Sequence, residues 1–391
     1  ILRALGSMIT RLGAPQSAKA GSAPSAAASG PARVSICVLP FANMSGDPEQ
    51  EYFSDGISED IITDLSKVSA LSVISRNSAF VFKGKNVDVQ RVARELKVGR
   101  VLEGSVRKVG GRVRITAQLV DAASNDHIWA ERYDRDLNDI FALQDEISRA
   151  IVNALQLKLL PKETKAIAQR GTENVEAYNL YLMARRLYIS GHEGDTRRAD
   201  AIIRLCRRAT EFDPNYAHAW ALLALGQAIL HYIRGDTFDD GLHEVEQALR
   251  LDATLAEAHA IKARILSEDG RYDEASRELD IALRLEPDSY EVNRSVALLS
   301  FRRHRQQDAI RHYEKAMALM DSDIHSGTML ISCYNAIGDV ESGRRIAQVT
   351  LARAEKALAQ DPNDGAALGF GACALAELGE SDRAKEWMNR A

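Results

Sequence analysis

Four cysteines, at positions 37, 206, 333 and 373, are spread through 391 residues, and no two form a CxxC pair or a zinc-ligand spacing. A disulfide framework and a zinc module are therefore excluded. The thiols read as small apolar packing groups in a chain kept in a reducing, cytoplasmic compartment. No apolar run approaches the roughly 20 residues that cross a bilayer. The opening ILRALGSMITRLG carries two arginines and fits the end of an upstream helix or a junction better than a signal peptide. A dominant charge is missing too. Against 55 acidic residues stand 50 basic ones, intermixed, for a formal charge of −5, so this segment has no general attraction to nucleic acid or anionic membranes. There is no GxGxxG, no GxxxxGK[ST] and no HExxH, and the nine histidines are scattered. Gly104, Gly110 and Gly111 read as turn glycines. No cofactor and no metal are expected.

What the sequence does contain is a repeat. Ala275, Leu279 and Ala282 return 34 residues later as Ala309, Tyr313 and Ala316, and Ala248 precedes Ala282 by the same interval. This is the period of a helix-turn-helix unit that must stack on its neighbours to bury its apolar face. Ala260, Ala263 and Leu266 mark one face of a first helix, Gly270 breaks it, and Ala275, Leu279, Ala282 and Leu285 mark the second.

These positions resemble the tetratricopeptide repeat, unit by unit. Trp220, Leu223 and Ala224 stand at the family's Trp, Leu and small-residue positions after Pro214, and five extra residues precede Gly241, Val245 and Ala248. Ala297, Ala309, Tyr313 and Ala316 mark another unit, with Asp321 in the closing Pro position. The next has Tyr334, Gly338 and a second helix about two turns longer than usual, ending at Ala357 before Pro362. An irregular first unit carries Ala177, Tyr181 and Ala184, an insertion over 191–196, then Cys206 and Ala209. The last has Ala372, Leu375, Gly379, Ala384 and Met388. About six units cover 174–391, the last incomplete, with an apolar face on Leu375, Ala384 and Met388 expected to lack a cover.

Residues 1–32 end in a low-complexity Ala, Ser, Gly and Pro stretch that reads as a flexible linker. A linker near the start and an array stopping within a helix predict a segment of a longer protein. Between linker and repeats, 33–160 reads βαβαβββα. VSICVLPF is a buried strand, and SDGISEDIITDLSKV a helix capped by Ser54 or Asp55. LSVISR is a strand and VDVQRVARELKV a helix. Two strands flank Gly110-Gly111, HIWAERYDR forms an edge strand, and a long helix ends at Pro161. The expected fold is a mixed-sheet α/β domain followed by an all-α solenoid. The phrases VLPFANMSGDPEQEYFSDGISEDI, VLEGSVRKVGGRVRITAQLVDA and IWAERYDRDLNDIFALQDEI look like the TolB amino-terminal-like domain. Joined to tetratricopeptide repeats, that domain resembles the carboxy-terminal region of bacterial class III adenylyl cyclases, and also that of winged-helix transcriptional regulators. The catalytic or DNA-binding domain of either lies outside this chain, so neither activity attaches to a residue here.

Asp55, Glu59 and Asp60 are the tempting carboxylates. They could serve a hydrolase, but acids at a helix start also complement its dipole, and no basic or histidine partner stands at a readable spacing. The basic run Arg107, Lys108, Arg112 and Arg114 reads as a solvated strand face, with contact to phosphate or an acidic partner as the alternative. Function is expected on the concave face of the repeats, where repeat position places Arg264, Arg294, Leu298, Phe301 and His325. A basic groove with an aromatic suits an acidic or amphipathic peptide. The expected role is non-catalytic: binding a protein or peptide in that groove, or a second copy of the chain, and modulating an adenylyl cyclase-like catalytic domain. The alternatives are the effector region of a winged-helix regulator and the hydrolase.

Overall fold

The structure, a computed structural model, describes residues 33–391 apart from 86–87, 169–170, 191–195, 236–238, 321 and 360. The linker expected over 1–32, most of the 191–196 insertion and Asp321 thus lie outside the described residues. In the amino-terminal domain β1 (Val34–Val38) is central, flanked in parallel by β3 (Leu71–Val73) and β4 (Arg100–Val109). From β4 the sheet continues antiparallel through β5 (Arg112–Asp121) and β6 (His127–Asp136), and the two-residue β2 (Ala42–Asn43) pairs with β4. The apolar run in β1 follows from burial on both faces. Ile36 and Val38 pack with helices α1 (Glu51–Ser66) and α4 (Ile140–Ala154). Cys37 packs on the other side with residues of α2 (Arg76–Phe80) and α3 (Val89–Leu96). At the open edge, β6 is mostly exposed and carries Glu131, Arg132, Asp134 and Arg135, charges that discourage edge-to-edge pairing.

Two sequence expectations change here. Gly110 sits in the β4–β5 turn with φ +58°, as read, but Gly104 lies inside β4. A Cβ there would stand 2.5 Å from the Thr116 carbonyl oxygen and 2.8 Å from the Phe41 ring, so the glycine serves close approach and not a turn. Pro161 does not end the long helix. Helix α4 stops at Ala154, and Pro161 opens a separate helix α5 (Pro161–Ala168), because proline at the first helical position forfeits no hydrogen bond.

Twelve helices follow as six antiparallel pairs: α6 (Val175–Ser190) with α7 (Thr196–Phe212), α8 (Ala217–Arg234) with α9 (Leu242–Leu251), and α10 (Ala256–Glu268) with α11 (Tyr272–Leu285). Then come α12 (Tyr290–Arg302) with α13 (Gln306–Leu319), α14 (His325–Ala336) with α15 (Val340–Leu358), and α16 (Gly365–Glu377) with α17 (Ser381–Arg390). This is a tetratricopeptide-repeat solenoid. Its repeating alanines Ala248, Ala275, Ala282, Ala309 and Ala316 are all fully buried where the helices cross, whereas Leu285 is 39% exposed and falls off the packed stripe. Gly270 leaves α10 at φ +78°, and 34 residues on His304 adopts the same left-handed conformation at φ +58°, a geometry that glycine takes at lower cost. We expect Ala282→Trp to overpack a crossing and destabilise the protein by more than about 2 kcal/mol; an unchanged urea midpoint would refute this packing.

Helix α15 has 19 residues against 14 in α11 and α13, nearer one and a half extra turns than two. The expected bare face on the last unit is not there. Leu375 is fully buried, Ala384 is 9% and Trp387 8% exposed, and Met388 packs against the same cluster. These side chains turn inward onto α15 and α16, leaving Ser381, Asp382, Arg383, Lys385, Glu386, Asn389 and Arg390 outward. The polar face of α17 is what a capping helix needs.

Candidate functional site

Two helices from different domains meet, α1 of the sheet domain and α6 of the first repeat. Their approach is close at Gly56, where a Cβ would lie 2.5 Å from Leu182 Cδ1. One turn along α1, Asp60 Oδ2 accepts hydrogen bonds from the Tyr178 hydroxyl on α6 and from Gln144 Nε2 on α4, the latter at 2.6 Å. Phe141 of α4 meets the edge of the Tyr178 ring at 5.2 Å. Burial is the main cause that pushes the Asp60 carboxyl up to about 7; negative Asp64 and Glu59 add to it, while the two hydrogen bonds oppose it.

Arg185, seven residues beyond Tyr178 and so on the same face of α6, gathers carboxylates from three other helices. Its Nη1 lies 2.6 Å from Glu257 Oε1 of α10 and 3.4 Å from Glu291 Oε1 of α12, and its Nη2 lies 3.4 Å from Glu59 Oε1 of α1. Glu59 Oε2 in turn accepts from Arg76 Nε of α2 at 3.0 Å, and the Arg76 guanidinium lies 4.0 Å over the Phe80 ring. The Arg185 side chain is 13% exposed, with Glu257 at 15% and Glu291 at 11%. Burial and the neighbouring Glu291 push Glu257 up to about 7 against the pull of Arg185. Burial would raise Glu59 as well, but Arg76 and Arg185 outweigh it and hold that carboxyl below its usual range.

This geometry revises the reading of the three carboxylates. Helix α1 starts at Glu51, a turn earlier than read, so Asp55, Glu59 and Asp60 lie past its first turn and do not complement its dipole. Each is spent on a contact: Asp55 with Lys83 at 2.5 Å, Glu59 with Arg76 and Arg185, Asp60 with Tyr178 and Gln144. The hydrolase reading has no nucleophile or histidine beside them in these contacts. The described residues hold no group of three or more His, Cys, Asp or Glu able to seat a metal ion. On the hairpin, Arg112 and Arg114 share Asp134, and Lys108 lies 4.6 Å over the Phe53 ring and 3.4 Å from Asn179 Oδ1 of α6; the face is partly a domain contact and not only solvated.

The five groove residues do not form an open basic surface. Arg264 is 6%, Arg294 5% and Leu298 9% exposed. Arg264 pairs with Glu268 at 3.1 Å, Arg294 approaches His325 Nδ1 at 3.4 Å, and His325 meets the Phe370 ring edge at 5.2 Å. Phe301 packs against the cluster around Tyr313. Helix α6 also contacts these repeats: Tyr188 packs against Tyr290 and Met320, and the Ile189 carbonyl accepts from Ser322 Oγ at 2.9 Å. Tyr178, Gln144, Arg185, Glu257 and Glu291 were not singled out by sequence reasoning. The two-turn spacing of Tyr178 and Arg185 was the available signal.

All four cysteines are free thiols, and burial pushes the Cys37 thiol up to about 12. Among the described residues no helix is long and apolar enough to cross a membrane. Over 251 residues the chain is 47% identical to "Putative adenylate cyclase 3" of Rhizobium meliloti (strain 1021), a match covering 63% of this chain and 42% of that protein. It is 25% identical over 156 residues to a tetratricopeptide repeat and J domain-containing co-chaperone of Cryptococcus neoformans, covering 36% of this chain and 28% of the relative. The chain thus spans less than half the length of these curated relatives. Among solved structures, a thermophilic TPR protein of Thermus thermophilus aligns with 52% of this chain and 98% of its own, at 19% identity and a TM-score of 0.38. Residues 32–150, which hold the whole β-sheet, match the family described as HilA/YgeH-like transcriptional regulator, second domain.

Proposed function

We propose that this chain is the non-catalytic protein-interaction and regulatory region of a cytoplasmic signalling protein, and that it modulates an adenylyl cyclase-like catalytic domain lying outside it. The observation that carries the reading is the reach of Arg185. One guanidinium touches the sheet domain through Glu59 and two later repeats through Glu257 and Glu291, so a partner that shifts the repeats also loads the sheet domain. Partners are proteins or peptides, or a second copy of the chain. Of the groove residues, the half-buried Phe301 and His325 are the ones such a partner would reach. The relative named as an adenylate cyclase supports the catalytic partner, and the match to a transcriptional regulator's second domain supports the second reading, an effector region coupled to a DNA-binding domain.

The test is a protein in which a class III cyclase catalytic domain precedes this chain. Arg185→Ala should change its cyclic AMP production by about fivefold or more, the range of ordinary coupling energies; equal rates would sink the coupling. The chain alone should not turn over ATP, and turnover abolished by Asp60→Ala would overturn its non-catalytic assignment.

A further inference from the structure

Between the sheet domain and the solenoid lies a cleft of about 380 Å³, walled by α1, α2, α6, the end of α13 and α15. That volume suits one small molecule and is tight for a folded peptide segment. Each of its acids has a cation partner: Glu51 and Asp55 share Lys83, at 3.0 and 2.5 Å, and Glu59 meets Arg76 and Arg185. Two of its cations have no such partner. Arg186 on α6 and Lys356 on α15 line the cleft from different repeats and make no ion pair among the described residues. Arg353, also in the lining, directs its guanidinium at the carbonyls of Met317, Met320 and Asp323 at 2.8–3.0 Å. Among the lining residues cations outnumber carboxylates, while Phe80, Leu182 and Ile189 supply apolar wall. One polar atom is unsatisfied: Asp55 Oδ1 is screened from solvent and has no donor, which a buried acceptor tolerates poorly.

We propose that this cleft binds a small organic anion. Its phosphate or carboxylate head is held by Arg186 and Lys356, its apolar or planar body lies against Phe80, Leu182 and Ile189, and a hydroxyl, on ligands that carry one, donates to Asp55 Oδ1. Because the ligand touches both domains, its binding favours one arrangement of the junction. The site stands independently of the catalytic partner proposed above, and the test needs no cyclase.

Calorimetric titration of the full chain with AMP, octanoate and inorganic phosphate decides it. AMP or octanoate should bind with a dissociation constant on the order of 100 µM or tighter, AMP identifying a phosphate head and octanoate a carboxylate. Phosphate alone should bind at least about tenfold more weakly, for want of the body. The doubly substituted Arg186→Ala, Lys356→Ala protein, whose exchanges leave the core untouched and whose melting temperature should match the parent's, should lose about tenfold or more in affinity. No binding of either organic anion at 1 mM, affinity unaltered in the double variant, or phosphate binding as tightly as the organic anions would each overturn the proposal.

Discussion

Arg185→Ala should destabilise the protein by about 3–5 kcal/mol at neutral pH, because removing one member of a buried ionic cluster leaves the others uncompensated. Here three carboxylates, Glu59, Glu257 and Glu291, would lose the guanidinium they share, while Arg76 still pairs with Glu59. The expected effect is larger than for a surface pair, worth roughly 0–1 kcal/mol, since every member of the Arg185 contact set is less than a quarter exposed. Adding Glu257→Gln should restore part of the loss by removing one uncompensated charge. Urea unfolding at pH 7 is the measurement, and a single-variant loss under about 1 kcal/mol would show that water, and not Arg185, satisfies these carboxylates.

Asp60 should make stability depend on pH in the direction opposite to an ordinary salt-bridged aspartate. Its carboxyl goes from an ordinary 3.8 to about 7 in the fold, so between those values the folded chain holds a proton that the unfolded chain releases. Its stabilising contribution is complete below about pH 4 and is lost as pH rises toward 7, as much as roughly 4 kcal/mol. Glu257, raised from 4.5 to about 7, has the same sign over nearly the same window. Asp60→Asn keeps an acceptor for Tyr178 without the charge. It should match the parent near pH 4 and exceed it by roughly 2–4 kcal/mol near pH 8. Parallel stability curves for the two proteins across that range would remove Asp60 from the titration.

Most of the architecture was legible because it rests on local pattern. The 34-residue recurrence of alanines marks the crossings, Gly110-Gly111 marks the hairpin, and Ile140, Leu143, Ile147 and Ile151 mark one face of α4. Pro161 misled because proline terminates and initiates helices by the same loss of an N–H. The junction was not legible for a different reason. Glu59 and Arg185 are 126 residues apart and Asp60 and Tyr178 118 apart, and nothing local pairs a carboxylate with a distant partner. A carboxylate cluster on a helix looks the same whether it faces water, a metal or another domain. The five groove residues fall in the first helices of their units, yet repeat position carries no information on how far other side chains bury them.

For the peptide groove proposed on the inner face, the contacts of α6 with later repeats, Tyr188 on Tyr290 and Ser322 on Ile189, would act as a tethered competitor. A helix held on the same chain acts at an effective concentration on the order of millimolar, so an incoming peptide meets an occupied surface. Its measured dissociation constant equals the intrinsic one divided by the fraction of time α6 stands away. Strengthening the Arg185 cluster should then weaken any such peptide without touching one of its contacts, and loosening the cluster should raise affinity and accelerate association together.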